Sequence, residues 1–206
     1  MNKIINVGII GYGMAGKVFH APIINDTVGL NLYKVYTTNE VAIKSLKERY
    51  PNVLVSSNIN ELLNDSNIEL VVIAAPNSLH YELTKIALEN NKHVVVEKPF
   101  TVTTAEADKL IALAKQKGKI LTVHQNRRWD SDFKTVEKVV KSKLLGDVVE
   151  YEAHYDRFRD YFEKNTWKEE KLPGTGILYN LGSHIIDQAL FLFGLPTEVF
   201  GDLRIQ

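Results

Sequence analysis

An α/β fold is predicted, with a doubly wound parallel sheet first and the start of an α/β domain with a mostly antiparallel sheet after it. Three observations predict it. Short apolar runs alternate with segments of helical period as far as about residue 123, the pattern of βαβ units around a parallel sheet. A glycine-rich turn, Gly11-Tyr12-Gly13-Met14-Ala15-Gly16, joins the first apolar run to the first helix. Beyond His124 the strand-like runs alternate apolar and polar residues, which suits a sheet with one wet face.

Each element follows from local chemistry. Residues 4–10 (IINVGII) read as a buried strand. A helix is expected over 14–24, bent or ended early by Pro22. Residues 31–37 alternate as a second strand, and Asn39 caps a helix from Glu40 to Tyr50 that Pro51 stops. A short strand at 53–55 and a short helix at 59–63 follow. Residues 69–75 form a fourth apolar strand, 80–90 a helix and 93–96 a strand. Thr104 is expected to cap a helix over 105–117 that Gly118 ends, before a strand at 120–123. Next come an amphipathic helix at 129–143 and a long alternating strand at 147–159. An apolar helix at 177–193 and a strand-like run at 198–205 complete the chain. Two strands and one apolar helix make a poor domain alone, because a sheet needs partners and a covered face.

Composition narrows the function. Lys+Arg and Asp+Glu both total 25 in 206 residues, so the formal net charge is zero. That gives no electrostatic reason to expect nucleic acid or an anionic membrane as partner. The chain is 45% hydrophobic, as a core-forming globular protein requires. It has no cysteine, which excludes disulfides, thiolate-bound zinc and thiol catalysis and fits a cytoplasmic protein. No apolar run approaches a membrane span, and the first residues lack the pattern of a signal peptide.

The glycine motif sits between a strand and a helix, where it forms a dinucleotide cradle rather than an ordinary turn. Gly11 permits the tight turn, Gly13 lets a pyrophosphate approach the backbone, and Gly16 lets the helix pack on the strand. Tyr12 and Met14 complete this loop. An acid at the end of the second strand would bind the ribose hydroxyls of NAD. Here Thr37-Thr38-Asn39 stands there, with the first acid delayed to Glu40. Hydroxyls without a carboxylate lean towards NADP, with NAD possible; the plainer alternative is that Thr38 and Asn39 only cap the next helix.

Pro76 and Asn77 end the fourth strand, with His80 three residues on. They are turn and helix-start residues that also lie on the ligand-binding edge of such a sheet. Glu97-Lys98-Pro99 ends the next strand. Glu97 can bond cofactor hydroxyls or steady the lysine, and Lys98 can polarise a carbonyl or stabilise an alkoxide. In the helix at 177–193, Asn180, His184 and Asp187 share one face by their spacing. That stripe is either a solvent face or a pocket lining; it carries no Lys, Arg or Glu, which favours the pocket. His184 can shuttle a proton near neutral pH. His20, His93, His124 and His154 show no metal-ligand spacing and read as structural or surface residues, so no metal is expected.

Together Gly11–Gly16, Ala75-Pro76-Asn77 with His80, Glu97-Lys98-Pro99, Asn126-Arg127-Arg128-Trp129-Asp130 and the run from Gly174 to Asp187 resemble the Gfo/Idh/MocA oxidoreductases along the whole chain. The nearest subgroup is a bacterial one that includes NADP-dependent scyllo-inositol dehydrogenase. The resemblance implies a Rossmann domain over 1–123 and an α/β substrate and dimerisation domain, incomplete here, over 124–206. It implies that Lys98 is the catalytic lysine and His184 the acid/base, with Asn180 where relatives often carry aspartate. Asn180, His184, Asp187 and Lys98 then form the substrate site. The implied activity is hydride transfer between NADP(H) or NAD(H) and the hydroxyl or keto group of a sugar, inositol or related polyol. A homo-oligomer through the C-terminal sheet is expected. The alternative is a non-catalytic nucleotide-binding module or an inactive remnant.

Overall fold

The computed structural model describes residues 3–156, 158–161, 166–167 and 170–204. Six strands form one sheet: β1 (Ile5–Ile10), β2 (Leu30–Tyr36), β3 (Leu54–Ser56), β4 (Leu70–Ile73), β5 (His93–Glu97) and β6 (Leu121–His124). All pairings are parallel, and the order is β3-β2-β1-β4-β5-β6. The chain leaves β1 in one direction through β2 and β3 and returns to β4 on its other side. That reversal opens a crevice at the carboxyl ends of β1 and β4, where such sheets bind ligands.

The strands sort their side chains by the period of two that the pleat imposes. Val7, Ile9, Val35 and Val72 pack on one face with Ala21, Ile24 and Leu46. Ile10, Val71, Ile73, Val94 and Val96 pack on the other with Leu62, Leu88 and Leu110. Both faces are dry, as a parallel sheet covered by helices requires.

The helices follow the expected starts and stops, with two instructive differences. After β1 a π-helical turn (Ala15–His20) runs directly into α1 (Ala21–Asp26), so Pro22 does not end the helix. The Ala21 N–H bonds Gly16 O at the wide spacing, and Pro22, without an N–H, stands where the ladder returns to α spacing. α2 (Glu40–Arg49) is capped by Asn39, whose side chain accepts from the Ala42 N–H at 2.9 Å. α3 (Ile59–Leu63) and α4 (His80–Glu89) follow β3 and β4. α5 (Thr104–Lys117) is capped by Thr103 rather than Thr104, because Thr103 forms a reciprocal box with Glu106. Gly118, in the left-handed region, ends it.

Compact contacts divide the chain into Met1–His124 with Glu170–Thr175, and Gln125–Glu169 with Gly176–Gln206. The second unit holds a 3-10 turn (Asn126–Trp129), α6 (Ser131–Lys141), a π-helical turn (Leu178–Gly182) and α7 (Ser183–Phe193). Phe133 of α6 and Phe191 of α7 meet edge to face, with centroids 5.9 Å apart. The expected antiparallel sheet is not formed among the described residues, where every strand belongs to the parallel sheet. Residues 147–156 and 198–204 are without ladder partners in it, and Val149 and Val199 are exposed. Alternation prepares a segment for a sheet, but only a neighbour that takes its N–H and C=O groups makes it a strand. Arg157 and Ile205, at positions of those expected strands, lie outside the described residues.

Candidate active site

The turn after β1 is shaped by its glycines. Gly11 has φ +95°, and a Cβ there would lie 2.4 Å from the Ala74 carbonyl oxygen. A Cβ on Gly16 would lie 2.2 Å from the Gly11 oxygen. These two positions admit no side chain. At exposed Gly13 a Cβ would meet nothing within 4 Å among the described residues, which leave that side of the turn open. The Lys17 N–H closes the first turn on Gly13 O at 2.9 Å, and Gly11 N bonds Tyr36 O at 3.0 Å. Met14 is 69% exposed, whereas Tyr12 is turned into the core. Burial is the first cause raising the Tyr12 phenol above its ordinary pKa, and neighbouring Tyr50 adds to it. The cradle therefore offers backbone rather than the Tyr12 hydroxyl, and its shape fits a pyrophosphate.

At the end of β2 the three polar side chains divide their work. Buried Thr37 accepts from the Asn39 N–H at 3.3 Å, and Asn39 caps α2. Thr38 is exposed. Thr38 is thus the exposed one of the two threonines expected at the ribose.

Beyond β4, Pro76 is half-buried and leads into a short 3-10 turn (Asn77–Leu79). The buried Asn77 amide donates to Gly174 O at 2.6 Å. His80 was expected on the cofactor surface; it is fully buried. Its Nδ1 lies 2.7 Å from Pro99 O and its Nε2 3.0 Å from Ala75 O. Burial lowers its pKa, and the two carbonyls pull the other way. His80 braces the loops after β4 and β5 against each other through these two carbonyls.

Glu97 closes β5, buried at the same edge. Its Oε1 receives His20 Nε2 at 2.7 Å and His124 Nδ1 at 2.8 Å. Its Oε2 accepts the Lys98 backbone N–H at 3.3 Å. Burial raises the carboxyl, but the hydrogen bonds from His124 and His20 outweigh it and bring the pKa to about 2. Lys98 is half-buried, and its bond to Pro99 is cis.

The sequence reading missed His20 and His124 as partners of Glu97. They stand 104 positions apart, but β5–β6 register pairs Glu97 with His124, so the end residues of neighbouring strands carried a signal. Their ligand atoms and that of Glu97 lie within 4.8 Å of one another, a set that could hold a metal ion. The separations of 2.7 and 2.8 Å are those of hydrogen bonds; ligands around a tetrahedral ion, at bonds of ~2.0 Å, stand about 3.3 Å apart.

In the second unit Asn180 lies on the π-helical turn and His184 on the first turn of α7, where it is buried. The wide turn alters the 3.6-residue arithmetic that put Asn180 and His184 on one stripe. Asp187, expected to meet substrate, accepts a two-pronged bond from Arg128, with Nε to Oδ2 at 2.8 Å and Nη2 to Oδ1 at 2.6 Å. This pair ties α7 to the Asn126–Trp129 turn, and Gln188 adds a bond to Arg127 O at 3.1 Å. Asp187 is thus a docking residue of α7, a role that its helical spacing could not reveal.

Comparison with known proteins agrees with this architecture. A family profile described as "Oxidoreductase family, NAD-binding Rossmann fold" (GFO_IDH_MocA) matches residues 5–125. A second, the "GFO/IDH/MocA C-terminal domain", matches residues 133–206. The uncharacterized oxidoreductase YdgJ of Escherichia coli is 48% identical over 98% of this chain and 58% of its own length. The scyllo-inositol 2-dehydrogenase (NADP(+)) IolW of Bacillus subtilis is 41% identical over 98% of this chain and 55% of its own length. The solved structure of the putative oxidoreductase yvaA from Bacillus subtilis superposes with TM-score 0.89 at 41% identity, covering 95% of this chain and 55% of that one. The chain therefore spans little more than half the length of the relatives it matches. No helix among the described residues is long and apolar enough to cross a membrane.

Proposed function

This chain belongs to the GFO/IDH/MocA family of NAD(P)-binding oxidoreductases, and on that premise we propose that it serves an NADP-preferring dehydrogenase of sugars, inositols or related polyols. The observation that carries the proposal is the open Gly11–Gly16 cradle at the β1/β4 reversal, on the same sheet edge as Lys98. The nicotinamide cofactor supplies the two-electron redox chemistry when bound.

The chain's own residues would do the rest. The backbone from Gly11 to Gly16 would hold the pyrophosphate, while Thr38 meets the adenosine ribose and Pro76 and Glu97 border the cofactor. Lys98 would stabilise the alkoxide that forms as the substrate hydroxyl loses its proton. His184 would take that proton, and Asn180 would orient the hydroxyl or the imidazole. Without a carboxylate at position 180, that orientation is by hydrogen bond alone. Positioning and the exclusion of water would supply much of the rate.

The exposure of Thr38 and the absence of an acid at the strand end support the NADP preference, as does the NADP(+) in the name of one relative. Fluorescence titration of the chain with NADPH and NADH tests it. NADPH should bind more tightly, and Thr38→Asp should move the preference towards NADH by placing a carboxylate at the 2′-phosphate. A clear NADH preference in the unaltered chain would refute the reading. The residues from 124 onward would supply the substrate wall and a contact with a second copy, which size-exclusion chromatography can test.

A further inference from the structure

We propose that His20 and His124 are positioning residues that hold Glu97 as a fixed, ionised acceptor, with Oε1 taken up by the protein and Oε2 turned to the cofactor's ribose hydroxyls. The cofactor half of this inference rests on the function proposed above; the clamp on Glu97 does not.

The geometry carries it. Two imidazoles from opposite ends of the first unit, one on the turn after β1 and one ending β6, converge on a single oxygen at 2.7 and 2.8 Å. Their rings lie 4.3 Å apart at 47°. A carboxylate oxygen only accepts, so each histidine presents an N–H: Nε2 of His20 and Nδ1 of His124. Neutral imidazoles in those tautomers suffice. Oε2 is bound only by the more distant Lys98 N–H at 3.3 Å among the hydrogen bonds described, so it retains accepting capacity. A buried carboxylate without such donors would tend to protonate and become a donor in part. The two histidines thus fix both the charge and the direction of Glu97.

The other titratable groups near this cluster include Lys98, next to Glu97, and His80, on the helix after β4, which feels the charges of Glu97 and Lys98. Neither is altered in the variants below. A metal ion held by the same three side chains is the competing reading, and the hydrogen-bond separations oppose it.

The test compares the double variants His20→Ala/His124→Ala and His20→Gln/His124→Asn with the unaltered chain. Glutamine and asparagine keep an amide N–H where each imidazole N–H stands. The first readout needs no cofactor: the side-chain carboxyl ¹³C resonance of Glu97, assigned by its loss in Glu97→Gln. It should not titrate above about pH 4 in the unaltered chain or the Gln/Asn pair, and should titrate above the ordinary carboxylate range in the Ala pair. The second readout is NADPH affinity relative to the unaltered chain at each pH. It should fall about tenfold per pH unit below the raised pKa in the Ala pair and stay level in the Gln/Asn pair. Should the Ala pair not fold, His124→Ala alone, at the half-buried position, should show the same upward shift in smaller measure.

Titration of Glu97 in the ordinary range in the unaltered chain would overturn the clamp. So would stoichiometric Zn²⁺ uptake that the Ala pair loses, which would make the cluster a metal centre. A confirmed clamp with NADPH affinity indifferent to the Ala pair would overturn the cofactor role of Oε2. Absence of any NADPH binding by the unaltered, folded chain would overturn that role and the proposed function together, leaving the clamp standing.

Discussion

In the first unit both faces of a six-stranded sheet are dry, and side chains such as Val7, Ile73, Leu88 and Val96 are fully buried. In the second, Phe133 is the buried large hydrophobic side chain among the described residues, while Val149, Leu195 and Phe200 are each at least 90% exposed. Apolar residues are plentiful in both. The difference lies in how each sequence finds its partners. A βαβ unit buries its strand against the helix that follows a few residues later and the parallel strand after that, so local sequence closes the core. An alternating strand depends on neighbours that its own segment does not supply. The second unit leans instead on two docked helices and on polar bonds such as Arg128–Asp187.

The largest expected effect concerns the chemistry proposed for Lys98. In a complete, active version of the proposed enzyme, Lys98→Met should leave cofactor binding nearly intact and lower polyol-dependent reduction of NADP⁺ by ~10²–10⁴-fold, the range of a single electrostatic or acid–base group. Turnover within a few-fold of normal would make Lys98 only a strand-end charge.

The comparison itself can be broken by limited proteolysis. Buried contacts set local stability, so cleavage should fall after residue 124 while a resistant product near residues 1–124 accumulates. Roughly tenfold slower loss of that product than of the whole chain is expected. Uniform resistance along the chain would show that the second unit is as well held as the first.

Point substitutions sharpen the same contrast. Leu88→Ala, in the first core, should cost ~2–5 kcal/mol in urea unfolding. Arg128→Ala should cost only about 1 kcal/mol, because the bond to Asp187 is charge-assisted but the arginine side chain is 40% exposed to screening solvent. A larger loss at Arg128 than at Leu88 would reverse the assignment of where the chain's stability resides.

The same contrast explains what the sequence could disclose. Strands β1 to β6 and helices α2 to α5 were legible to within a residue or two, because period, Asn39 and Gly118 act locally. The cap of α5 was misplaced by one residue, because Thr103 and Thr104 are adjacent and only the reciprocal bond to Glu106 separates them. Alternation in 147–159 was real, but a ladder is a relation between two segments and one segment cannot reveal it. The glycine cradle, Lys98 and the edge on which they lie were legible, since each sits at a strand end. Of the clamp on Glu97 only the strand-end pairing with His124 left a signal, and the capture of Asp187 by Arg128 left none, because these contacts join residues 27 to 77 positions apart through side-chain direction.

On the proposed function, the turn after β1 is open because a cofactor belongs there. Gly13→Val tests it most directly, since a Cβ at that position meets no atom of the described residues within 4 Å. The variant should melt as the unaltered chain does yet bind NADPH at least about tenfold more weakly, a difference of ~1.4 kcal/mol or more. Undiminished NADPH affinity in a folded Gly13→Val chain would contradict the account.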